Sequence, residues 1–349
     1  MTRRYVDGTL ELLGPLVLVA AVGVVGHFTS SARQLEFENA LVQTAIVVAI
    51  YIFIGNSGVI SFGHISFVAL GAYLAGEMTL GAQQKSFVVP NLFPLLRDHT
   101  VGIVPSLALA AAVGLVYALV VGIALMRLSG LPAGIATFAV LGITYNLLSY
   151  WTRIGPGVQA LPLIPQSGIW TLTVGTLIAV AVAFAYQRSR AGRRLRATRE
   201  DPAAAQAAGI DIYRHRVVAF ALSGAVAGFA GGMLVHELGT ISTAQVPDLQ
   251  LTFITLAMLV VGGVRSLWGA VVGALLISGL DQFLGDAEQT IHIGFRLHLP
   301  AGTRLVTIGA VMALVLILRP SGITGGREVR LPRRGGSHGR IAAVPTAPG

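Results

Sequence analysis

Apolar residues occur in long unbroken blocks, not at the spacing of half-buried helices. Ile103–Met126 is 24 residues without a charge, Leu128–Thr152 is another 25, and Glu38 and Glu77 enclose 38 more. A helix needs about 20 such residues to cross the hydrocarbon layer. The first two blocks are each long enough for one crossing and the third for two. Reading apolar runs between charges and breaks predicts spans near 12–28, 40–54, 59–80, 103–126, 132–152, 169–187, 216–236, 251–264, 267–284 and 304–318. The eighth and tenth are short. The predicted fold class is therefore all-α: a polytopic transmembrane bundle of about ten helices, eight at the fewest.

Composition agrees. Charged residues make up 11% of the chain, against about 25% in soluble domains, and the mean hydropathy is +0.76. Met1-Thr2-Arg3-Arg4 before the first apolar run imitates a leader peptide, but no small-residue cleavage site followed by a soluble domain appears, so this run reads as the first span. The absence of cysteine excludes disulfides and thiol chemistry. The net charge of +9 raises nucleic-acid binding as an option, but the distribution of the basic residues favours topology. With the N-terminus inside, 18 of the 24 basic residues fall on the cytoplasmic side, eight of them between Arg188 and Arg216. Such an excess is the ordinary mark of cytoplasmic loops. Residues 1–11 then form a cytoplasmic segment, 12–318 the membrane domain, and 319–349 a Gly-, Pro- and Arg-rich cytoplasmic extension predicted to be disordered. Gly224, Gly228 and Gly232, and likewise Gly269 and Gly273, place small residues on one helix face, where backbones approach closely in lipid.

The cytoplasmic loop at 188–215 is more than a basic linker. Asp201 suits an N-cap, Pro202 the first helical position and Gly209 a helix stop, with alanines between them. A short alanine-faced helix is predicted there. A helix this short is unstable alone, so either its own bundle or a partner must hold it.

Three stretches carry a family resemblance. In the loop, Gly192, Arg193, Leu195, Ala197, Arg199, Glu200, Ala204, Ala205, Gly209 and Ile210, then Ala219-Phe220, fall in register with S-x-x-G-R-x-L-x-A-x-R-E-x-x-x-A-A-x-x-x-G-I. Gly55–Tyr73 resembles G-x-x-S-x-G-H-x-x-F-x-x-x-G-A-Y through Ser61, Gly63, His64, Phe67, Gly71, Ala72 and Tyr73, and Val260–Ala274 is similar to a glycine-rich late span. These are patterns of the branched-chain amino acid permeases of ATP-binding-cassette importers, and the resemblance covers most of residues 40–318. It implies a bacterial inner-membrane subunit that forms the translocation path. The implied partners are two ATPase subunits on the inner loops, a second homologous permease chain, a soluble solute-binding protein outside, and the lipid bilayer. The ATPase-coupling candidates are Gly192, Arg193, Arg199, Glu200, Asp201, Ala204, Ala205 and Gly209. One departure concerns cargo: Pro132 and Ala133 replace an aromatic pair of the family, and its T-G-G-x-x-G loop here reads RIGPGVQAL. Urea, short amides or sugars are the alternative solutes.

No cofactor is expected on the chain itself. A phosphate-cradling loop needs G-x-x-x-x-G-K-[ST], and the single lysine, Lys85, stands in an outer loop without it. ATP therefore belongs to the partner subunits, and the chain is a non-catalytic transport subunit. Candidates for the substrate path are Asn56, Ser61, His64, Thr137 and Asn146, polar groups within or between spans. Bonding to a neighbouring helix is the competing explanation for each. The break at Gly55–Gly58 is a further candidate, for its helix-end amides could receive a carboxylate. Two rival readings are an ion-coupled transporter using Glu77 or Asp281, and an intramembrane serine protease using Ser57 with His64 or His236.

Overall fold

The computed structural model describes residues 2–163, 167–289, 291–292, 296–297, 300, 302–326 and 328. Among the described residues the secondary structure is helical apart from four two-residue strands. In order come α1 (Thr2–His27), α2 (Ser31–Ser57), α3 (His64–Thr79), α4 (Ala82–Val88), α5 (Pro94–Arg97), α6 (Ile103–Leu125), α7 (Leu131–Tyr150), β1 (Leu161–Pro162), α8 (Ile169–Arg188), α9 (Arg190–Glu200), α10 (Pro202–Ala207), α11 (Ile212–Leu238), β2 (Thr240–Ile241), α12 (Leu249–Gly262), α13 (Leu267–Gln289), β3 (Ile291–His292), β4 (Arg296–Leu297) and α14 (Thr303–Leu318). β1 pairs antiparallel with β2, Leu161 opposite Ile241, and β3 likewise with β4.

Ten of these helices coincide with the ten predicted spans, but they are not equal. Among the described residues α2, α6, α7, α8, α11 and α13 are long and apolar enough to cross a membrane, while the apolar parts of α1, α12 and α14 are shorter. α3 has 16 residues and α12 has 14, which at 1.5 Å per residue reach about 24 and 21 Å against about 30 Å of hydrocarbon. Among the described residues, six helices meet the length and composition of a crossing.

α11 lies at the centre, packed on α2, α3 and α6. Its glycines make this possible. A Cβ at Gly224 would sit 2.2 Å from Ala118 Cβ, one at Gly228 2.2 Å from the Ala110 carbonyl oxygen, and one at Gly231 2.0 Å from that of Val68. Ser223 Oγ donates to Ala49 O at 2.7 Å, fixing the third neighbour. The same device closes the α12–α13 hairpin, where a Cβ at Gly273 would meet Met258 O at 2.1 Å. α6 keeps an apolar outer surface, with Val104, Val116 and Val120 exposed. A helix apolar all round suits lipid.

One end of the bundle is capped by the segment 81–101, organised around Lys85. Its side chain is fully buried, and the ammonium donates to Leu96 O at 2.7 Å and to His99 O. The opposite end of the bundle gathers both terminal segments. α1 begins at Thr2, so residues 2–11 continue the first span's helix, and Glu11 pairs with Arg188 at 2.6 Å. The start of the expected disordered extension, through Gly326, is docked on the α12–α13 turn by Ile323 N→Val261 O at 2.8 Å. The remainder of that extension, Glu328 aside, lies outside the described residues.

Candidate functional site

The 188–215 loop folds into two helices where one was predicted. Ser189 Oγ caps α9 by accepting from Gly192 N at 3.0 Å, and Asp201 Oδ1 caps α10 by accepting from Ala204 N at 2.9 Å. α10 stops at Gly209, whose φ of +76° is left-handed, as Ile210 N bonds back to Ala205 O at 3.0 Å. That closure suits glycine at the helix end.

The coupling candidates divide by exposure. Arg193, Glu200, Asp201, Ala204 and Gly209 are exposed, together with Ala203, Ala207 and Ala208, so α10 presents a smooth alanine surface. Gly192 and Ala205 are buried in the chain's own body. A Cβ on Gly192 would sit 2.2 Å from the Tyr186 carbonyl oxygen, so its glycine serves the close α8–α9 corner.

Arg199 joins the loop to the membrane helices. Its Nη1 donates to Gly55 O, while Nη2 pairs with Glu200 Oε1 at 2.7 Å. The guanidinium holds the exposed Glu200 carboxyl below its ordinary value, and Arg265 adds to the effect. The break after α2 therefore receives a cation at a carbonyl, not a carboxylate at free amides as its glycines suggested. The reason is polarity: it is the C-terminal end of α2, where carbonyls lack partners. Gly58 turns the chain with φ +72°, and a Cβ there would lie 2.6 Å from Arg199 Cγ. Two motifs 144 residues apart thus form one joint. Sequence reasoning missed Arg265. It lines, with Ile60, Phe62, Arg199, Phe253 and Met312, an apolar furrow of about 540 Å³ beside the joint. The V-R step of the Val260–Ala274 motif was its signal.

From Gly58 the chain runs across α7 into α3. Phe62 N donates to Thr137 Oγ1 at 3.1 Å, and a Cβ on Gly63 would meet Thr137 O at 2.7 Å. Thr137 is thus placed beside the segment that carries Ser61 and His64. Both are 1% exposed, and Ser61 Oγ and both His64 ring nitrogens lack partners among the described residues. Phe53, Phe67 and Phe220 surround the imidazole, with ring centroids 5.4–5.7 Å away. Asn56 Nδ2 donates within α2 to Ile52 O at 3.0 Å, leaving its buried Oδ1 unpartnered. Asn146 is not part of this group. It is exposed on the outer face of α7 and bonds its own helix at Gly142 O. Of the side chains named for the rival chemistries, Ser57 Oγ accepts from Val59 N at 3.1 Å, His236 bonds Ser106 at 3.0 Å and Asp281 is paired with Arg304, while Glu77 is buried with Oε1 unpartnered among the described residues. No nucleophile–base contact exists among these residues.

Comparison with known proteins gives the family. The family profile described as the branched-chain amino acid transport system permease component matches residues 39–316. The chain belongs to that family. A probable branched-chain amino acid transport permease protein LivH of Methanocaldococcus jannaschii is 28% identical over 295 residues, covering 76% of this chain and 90% of the relative. The high-affinity branched-chain amino acid transport system permease protein LivM of Escherichia coli is 22% identical over 358 aligned positions, covering 92% and 77%. The autoinducer 2 import system permease protein LsrC of an Enterobacter species is 28% identical over 195 residues, covering 52% and 54%. No solved structure matches the chain. As a member of this permease family the chain is a multi-pass plasma-membrane subunit of an ATP-binding-cassette importer, not an enzyme, and it works with ATPase and binding-protein partners.

Proposed function

We propose that the chain forms the translocation path for branched-chain amino acids and is driven through the 188–215 loop by ATP hydrolysed on two separate subunits. The observation that carries this reading is the Arg199 joint: displacement of α10 is passed by Arg199 to the Gly55–Gly58 break, which leads directly to Ser61, His64 and Thr137. Arg193, Glu200, Asp201, Ala204 and Gly209 form the surface offered to the ATPase. Gly192, Arg199 and Ala205 hold the loop to the chain's own body. Nucleotide is bound by the partners, and this chain carries no cofactor.

A second homologous permease chain completes the pore, and a soluble binding protein delivers solute outside. Asn146, on the outward face of α7, reaches the path only from such a subunit interface. The short helices α3, α12 and α14 and the apolar part of α1 cross as well, giving about ten spans with both termini cytoplasmic. Support comes from contacts gathered at one end: Glu11 with Arg188, Arg199 with Gly55, Tyr213 OH with Ile123 O at 2.8 Å, and Ile323 with Val261. Alternate ends of ten consecutive crossings would meet in this way. The LivH and LivM relatives favour branched-chain amino acids as cargo. Similarity to an autoinducer 2 permease favours, as a second reading, another small polar solute such as a urea, short amide or sugar.

Reconstituted vesicles with the ATPase and binding protein test this. Glu200→Lys reverses the charge beside Arg199, and Gly209→Trp strains a left-handed position by about 1 kcal/mol besides placing bulk on the docking surface. Each is expected to lower uptake roughly tenfold with insertion unchanged; unchanged uptake in both removes the loop from the drive. His64→Ala is expected to reduce uptake by a similar factor. Uptake that survives both His64→Ala and Asn146→Ala takes the two side chains out of the path.

A further inference from the structure

The turn between α12 and α13 is gripped by the chain that follows α14. Thr324 N and Oγ1 both donate to Gly262 O, at 3.2 and 2.8 Å, and its Oγ1 lies 3.3 Å from Ser266 Oγ. The backbones touch: a Cβ on Gly322 would lie 2.5 Å from Gly263 Cα. Beyond this contact the Glu328 carboxylate accepts from Leu267 N at 2.8 Å and Trp268 N at 3.2 Å. These are orphan donors of the first turn of α13, at the end where the helix dipole favours an anion. Residues 320–326 and Glu328 thus act as a strap across the turn, and they lie beyond the 39–316 region that the family profile matches.

The strap ends beside the loop helices. Burial pushes the Glu328 carboxyl up and the two amides pull it partly back, while Glu11 raises it again and Arg196 of α9 lowers it. Arg196 Nη2 in turn donates to Gln187 O at 2.5 Å, and Gln187 Oε1 accepts from the buried Tyr51 hydroxyl at 2.7 Å. Arg196, Gln187 and Tyr51 thus link α9, α8 and α2 by hydrogen bonds, with the Glu328 charge near enough to Arg196 to be attracted by it. On the turn itself, Arg265 contacts the strap at Gly326, where a Cβ would lie 3.2 Å from Arg265 Cβ.

We propose that this strap, clamped by Glu328, ties the α12–α13 turn to the loop helices so that they move as one body, which makes Glu328 a positioning residue for ATP-driven transport. The inference rests on the importer reading above. In the full complex reconstituted in vesicles, Glu328→Ala is expected to leave ATP hydrolysis within about twofold of the unmodified chain while solute carried per ATP falls roughly tenfold. Glu328→Asp, which keeps the carboxylate, is expected to recover part of that loss. The chain has no cysteine, so Ser266→Cys with Thr324→Cys adds a single bridgeable pair. Oxidising it is expected to leave uptake unchanged, because the strap does not part from the turn. Unaltered coupling in Glu328→Ala overturns the proposal, as does a parallel fall of hydrolysis, uptake and folded protein, which marks a cap for stability alone. Reversible loss of uptake on oxidation also overturns it. If the unmodified complex shows no ATP-dependent uptake, the importer reading itself fails, a result distinct from the other three.

Discussion

Gly228→Leu is expected to prevent the central helices from assembling. The added Cβ starts 2.2 Å from the Ala110 carbonyl oxygen, with Gly114 Cα 3.1 Å away. Both are backbone atoms of α6, so relief requires moving a whole helix and not a rotamer. On the opposite side of Gly228 stands Gly71 of α3, whose own Cβ position lies 2.2 Å from Gly228 O. Three helices therefore meet with no side-chain volume between them. Overpacking of ordinary cores costs about 1–3 kcal/mol, and a junction of backbones should exceed that range. Gly142→Leu is the control, because nothing lies within 4 Å of its Cβ position, and exposed changes usually stay within about 0.5 kcal/mol. The readout is thermal unfolding of the purified chain in mild detergent. Equal melting of the two variants would contradict the packing described for α11.

The second large effect concerns Arg199→Ala. The chain should insert and fold, since Arg199 lies at the bundle's end and not in its apolar core, yet uptake per ATP should fall by at least roughly tenfold. Three contacts disappear together: the bond to Gly55 O, the pair with Glu200, and the packing of Arg199 Cγ against Gly58. Hydrogen bonds to charged groups contribute about 1.5–3 kcal/mol each, enough for that factor from the Gly55 bond alone. Arg199→Lys is expected to restore little. Only the planar guanidinium fork reaches a carbonyl and a carboxylate at once. Uptake and hydrolysis measured together in vesicles decide the matter; a normal ratio in Arg199→Ala means that the side chain only fills space.

Legibility of this molecule followed the range of each interaction. The caps of α10 were readable because Asp201, Pro202 and Gly209 act within one or two turns of chain. α9 was missed: its arginines hide the periodicity that buries Gly192, Leu195 and Thr198, and its cap, Ser189, lies just before a run of arginines that masks it. The glycine faces of α11 and α13 were evident, but their partners were not, since Gly228 and Ala110 are brought together only by tertiary packing. Gly192 and Ala205 matched the family motif, and the pattern alone gave no sign that both turn inward. Arg199 and Gly55 each stood out, in separate motifs, and only the fold joined them. The short helices were the hardest case. A run of 14 apolar residues fits a core helix, a re-entrant segment or a tilted crossing equally well.

Burial of Lys85 has a practical consequence. The chain possesses one ε-amine, and the cap at 81–101 encloses it completely. An amine-selective acylating reagent can reach it only when that cap opens, so acylation kinetics at this residue measure the free energy of a local opening. The protein carries its own probe of how often its far surface comes apart, with no label to introduce.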